Sequence, residues 1–171
     1  MSFTEQQKIT HDLVSELESI RKHFREECAK ADALVELFES DSVDQAVSQD
    51  FYELMKSISL GCSDAMAQFA KKIIDESVKL LTSPPPCDFE AFAIGSIAKG
   101  EATPFSDLEF IFLIERKNQE TVQYFELLAV TTYFIIGNLS ETKLSYMAVD
   151  ELKPWFDDKA KNGFKIDGLA K

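Results

Sequence analysis

Two short runs carry the residue types that phosphate and metal chemistry asks for. Gly95-Ser96 closes one apolar segment, and Ser106-Asp107-Leu108-Glu109 opens another. In a strand, residues i and i+2 share a face. Asp107 and Glu109 are therefore expected to project together, while Leu108 and Phe110 face the core. Two carboxylates on one face repel each other unless a cation sits between them, and hard oxygen ligands suit Mg²⁺. The glycine turn offers backbone N–H groups and the Ser96 hydroxyl as a phosphate cradle. Lys99 adds a cation for phosphate charge, although a lone lysine is more often a surface residue and its role rests on its neighbours. The bland reading is a turn and a solvated strand end. The spacing and the two flanking apolar runs weigh against it.

The elements that must position these residues follow from periodicity. Ile9, Leu13, Leu17, Ile20, Phe24, Cys28, Ala31, Val35 and Phe38 step by three or four, which predicts a long amphipathic helix with Glu, Lys, Arg and Gln on its solvated face. Ser40-Asp41-Ser42 breaks it. A second helix is expected over 43–58 and a third over 64–81, with Gly61 and Ser63 as punctuation between them. Pro84-Pro85-Pro86 cannot continue a helix and marks the clearest boundary. The expected organisation is a helical region at 1–83, a proline linker at 84–87 and a second unit at 88–171. In that unit, 89–94 and 108–114 read as buried strands, 118–136 as a helix ended by Gly137-Asn138, and 143–149 as a third strand. The final stretch, ending soon after Gly168, reads as one that continues beyond Lys171. The fold class is α+β: a helical region leaning on a small mixed β-sheet with flanking helices.

The string GSIAKGEATPFSDLEFIFLIE, residues 95–115, resembles the signature of the DNA polymerase β-type nucleotidyltransferase superfamily. It is most similar to the nucleotidyltransferase domain of PII-protein uridylyltransferases and related nucleotidyltransferase-like domains. The resemblance covers residues 89–149. It implies that Gly95, Ser96, Lys99 and Ser106 serve the nucleotide, and that Asp107 and Glu109 bind Mg²⁺ or Mn²⁺ and position the α-phosphate of an NTP substrate. Two departures matter. The second acid is Glu where Asp is commoner. The third carboxylate expected on a later strand has no match in the middle of 143–149, where Ser145 and Met147 stand, and Asp150 comes only at its end.

The charge balance narrows the partners. The chain of 171 residues carries 18 basic and 30 acidic side chains, a net charge of −12, which repels phosphate backbones and anionic membranes at long range. General nucleic-acid binding and membrane docking are not expected, whereas a cleft for one nucleotide is. The 14 phenylalanines exclude a disordered chain. Cys28, Cys62 and Cys87 are odd in number and match no zinc spacing, so reduced thiols are expected. Residues 1–10 lack the apolar core of a signal peptide, and the apolar stretch 125–136 is too short to span a bilayer, so the expected location is cytoplasmic. Two functions fit. One is Mg²⁺-dependent transfer of an NMP from an NTP to an acceptor hydroxyl, with a protein as acceptor. The other is a degenerate module of the same fold that binds a nucleotide or a partner protein. The first helix is long enough that its far end is expected to meet a second copy, a further region of the chain or another protein.

Overall fold

The structure, a computed structural model, describes residues 3–38, 45–137 and 139, with side chains described over 7–32, 49–137 and 139. The expected strand at 143–149, Asp150, Trp155 and Asp167 lie outside the described residues. The described residues are α+β, mostly helical, with a small two-stranded antiparallel sheet. Among the described residues, no helix is long and apolar enough to cross a membrane.

Helix α1 (Phe3–Phe38) and helix α2 (Gln45–Leu80) pack as an antiparallel pair. Leu13, Leu17, Phe24 and Ala31 form the buried stripe of α1, against Ile58, Cys62, Met66, Phe69 and Ile73 of α2. The break expected at Gly61 and Ser63 is not there, and the two helices read as 43–58 and 64–81 are one. Gly61 is tolerated inside the helix because the Phe24 ring packs closely against it. A Cβ at Gly61 would lie 3.3 Å from that ring. Ser63 also lies within the helix, its hydroxyl donating to the Ser59 carbonyl at 2.8 Å.

Strand β1 (Phe89–Ala93) pairs with strand β2 (Phe110–Ile114) in the register Phe89 opposite Ile114 and Ala93 opposite Phe110. Both strands are shorter than expected, and the chain between them carries helix α3 (Gly95–Lys99). Opposite residues share a face. One face, with Phe89 and Phe112, packs its rings on Phe125 of helix α4 (Gln119–Gly137). The other carries Phe92 and Leu113, both exposed. Asn118 caps α4: its side-chain oxygen accepts from the Thr121 N–H at 2.9 Å, and its own N–H donates to the Thr121 hydroxyl at 2.8 Å.

The larger core cluster runs from α1 and α2 through Ile97, Ala102, Leu108 and Phe110 to Ile135 and Ile136, and a smaller one gathers Tyr124, Phe125 and Leu128. The proline segment is held to the end of β2, where the Arg116 guanidinium donates to the Pro86 carbonyl. All three cysteines are free thiols. Burial, and then the neighbouring Cys28, push the Cys62 thiol up to about 11.

Candidate functional site

β1 delivers the chain to an extended Ile94 and then to Gly95 at φ +63°, where α3 begins. That φ is in the left-handed region, which strongly favours glycine. The space above Gly95 is also taken: a Cβ built there would overlap the Glu109 carboxylate. Glu109 is placed by the sheet. The Ile94 N–H donates to its carbonyl at 2.9 Å, which extends the β1–β2 ladder by one step beyond Ala93 and Phe110.

Burial alternates through the approach to β2. Asp107 is exposed, Leu108 buried, Glu109 half-buried and Phe110 buried. This is the two-residue period of extended chain. Glu109, opposite Ile94 on the extended ladder, falls on the side of the sheet that also bears Phe92 and Leu113, and Asp107, two residues before it, is exposed. Among the described residues, no group of three or more His, Cys, Asp or Glu side chains is gathered. Asp107 and Glu109 supply hard carboxylate oxygens, a donor type that fits Mg²⁺ or Mn²⁺ but makes only part of a ligand set.

The other residues singled out from the sequence lie on helix α3 and in the turn that follows it. Ser96 is half-buried in the first turn of α3, and Lys99 is exposed in its last. Helix α3 ends at Gly100, φ +72°, in a Schellman arrangement. The Gly100 N–H donates to Ile97 at 3.1 Å and the Glu101 N–H to Ser96 at 2.9 Å. Ser106 is committed to a turn. Its hydroxyl accepts from the Thr103 N–H at 2.8 Å, and its N–H donates to the Thr103 carbonyl at 3.0 Å, with Pro104 at the second position. A shallow groove lined by Pro85, Cys87, Phe89, Phe92, Leu113 and Glu115 lies at the opposite end of the strand pair and takes in none of these residues.

The sequence reading missed the residues that hold the loop between the two halves of the site. The Arg21 guanidinium of α1 donates through Nε to the Pro104 carbonyl at 3.0 Å. Its Cζ lies 5.1 Å from the centroid of the Phe105 ring, and that of Arg25 5.7 Å. The Ala102 N–H donates to the Ser63 hydroxyl of α2 at 3.0 Å, a buried contact. Periodicity puts both arginines on a solvated helix face and gives no sign of a partner more than 80 positions away. No family model, curated protein or solved structure matches the chain.

Proposed function

We propose that the surface formed by Gly95, Ser96, Asp107 and Glu109 binds a nucleoside triphosphate with Mg²⁺ and transfers its NMP to an acceptor hydroxyl. One observation carries this reading: the Glu109 carboxylate is seated over a left-handed Gly95, with Asp107 two residues away on the same side of the chain. The approach to β2 is thereby joined to the glycine turn, as the resemblance of residues 95–115 to nucleotidyltransferases implies.

In the reaction, the acceptor oxygen forms a bond to the α-phosphorus. The bond from that phosphorus to the bridging oxygen breaks, and pyrophosphate leaves with the electron pair. Asp107 and Glu109 would hold Mg²⁺, which when bound polarises the phosphate. The backbone N–H groups that follow Gly95 and the Ser96 hydroxyl would serve the triphosphate, and Lys99 at the end of α3 offsets its charge. The acceptor proton passes to a base; the resemblance calls for a third carboxylate on a later strand, and Asp150, at the end of 143–149 and off the expected position, is the candidate in the sequence. The net charge of −12 favours a protein acceptor over a polynucleotide.

A second reading is a module of this kind that works by binding a partner. Phe92 and Leu113, exposed on the same sheet face as Glu109, favour it. One experiment separates the two. The chain is incubated with labelled NTPs, Mg²⁺ or Mn²⁺ and a cell lysate, beside the Asp107→Ala variant. Transfer of label that requires Asp107 is the expected result. A lysate that stays unlabelled while partner protein is retained favours the binding module.

A further inference from the structure

We propose that the α1–α2 hairpin sets the geometry of the site, with Arg21 and Ser63 as its positioning residues. This rests on the reading of Gly95, Asp107 and Glu109 as a metal–nucleotide site. The two halves of that site are joined by the chain from Gly100 to Ser106, and this chain is anchored on the hairpin at three points. At its start, Gly100 lies under Leu60 of α2, so closely that a Cβ there would come within 2.5 Å of the Leu60 side chain. In its middle, the buried Ala102 N–H has the Ser63 hydroxyl as its acceptor. At its end, the Pro104 carbonyl accepts from Arg21, and Phe105 lies beneath the guanidinium groups of Arg21 and Arg25.

Between these anchors the loop is a stiff unit. The N–H groups of Ala102, Thr103, Phe105 and Ser106 all donate to hydroxyl or carbonyl oxygens. Pro104 has no N–H to satisfy and a fixed φ. A stiff segment transmits the position of its anchors to the next residue in the chain, and after Ser106 that residue is Asp107. Glu109 is held separately, by the Ile94 N–H and the sheet. The hairpin therefore fixes Asp107 relative to Glu109, and a small misplacement of either carboxylate weakens shared coordination of one cation. Neither Arg21 nor Ser63 needs to touch the nucleotide for this.

The test uses the full chain and two measurements. Hydrogen exchange of residues 101–109 reports the loop. Water-proton relaxation by Mn²⁺–ATP and Mn²⁺–UTP reports the site. Arg21→Ala and Ser63→Ala should each speed exchange in the loop and weaken Mn²⁺–nucleotide binding about tenfold, the effect of losing one well-placed hydrogen bond near a charged site. Leu13→Val, a core change in α1 before Arg21 and at none of the three anchors, is the control for general destabilisation. It should leave both measurements unchanged. Loop exchange unaltered in both variants, or altered equally by Leu13→Val, overturns the proposal. So does a loosened loop with unchanged Mn²⁺–nucleotide affinity. Failure of the underlying reading looks different: the wild-type chain would then show no Mn²⁺–nucleotide binding that depends on Asp107.

Discussion

At Gly95 the backbone and the neighbouring side chain make the same demand. A left-handed φ disfavours any L-residue by about 1–2 kcal/mol, and the Glu109 carboxylate fills the place of a Cβ. Gly95→Ala should lower the free energy of unfolding by roughly 2 kcal/mol through backbone and crowding terms together. In a Glu109→Ala background the crowding term is gone and only the backbone term remains. The cycle should therefore show a coupling of about 0.5–1 kcal/mol by urea denaturation. Additive losses would mean that the carboxylate does not rest on Gly95. The glycine itself was legible in the sequence, since Gly-Ser after an apolar run marks a turn. That a carboxylate from the next strand lies on it was not, because cross-strand placement depends on a register set by the whole pair. Ser106 shows the converse. Its spacing invites a nucleotide role, yet its polar groups close the Thr103–Ser106 turn.

Helix α4 could be read from its sequence because its start is local: Asn118 and Thr121 cap each other across three positions. Helix α2 could not, because its continuity through residues 61–63 is decided by a distant partner. Glycine inside a helix costs about 1 kcal/mol relative to alanine, which reads as a break unless something packs on it. Phe24 of α1 does so. Gly61→Leu distinguishes the two roles. At a break, leucine would be neutral or would stabilise through its helix propensity. At a packed crossing it must displace the Phe24 ring, so α1 and α2 should separate locally and stability should fall by about 1–3 kcal/mol. Circular dichroism with urea titration measures both the helix content and the loss.

At the scale of the molecule, the amphipathic stripes of the first half announced a helical layer, and LEFIFLI at 108–114 announced a strand. What they left open was where α1 goes. Its stripe could serve an intramolecular core or a partner, and periodicity is the same for both. Leu13, Leu17, Phe24 and Ala31 lie in the core shared with the sheet and α4, which places the described part of α1 inside the fold. The far end, where a second copy or another protein was the expectation, has side chains outside the described residues. Deleting residues 1–38 would uncover the α2 seam at Ile58, Cys62, Met66, Phe69 and Ile73 and would also release Pro104 and Phe105. Apolar surface of that extent is more than a soluble monomer normally exposes. The shortened chain should therefore aggregate or unfold at a lower temperature, as seen by size-exclusion chromatography and thermal denaturation. A shortened chain that stays monomeric and equally stable would make α1 a peripheral arm, and the stripe would then have to be explained by a partner.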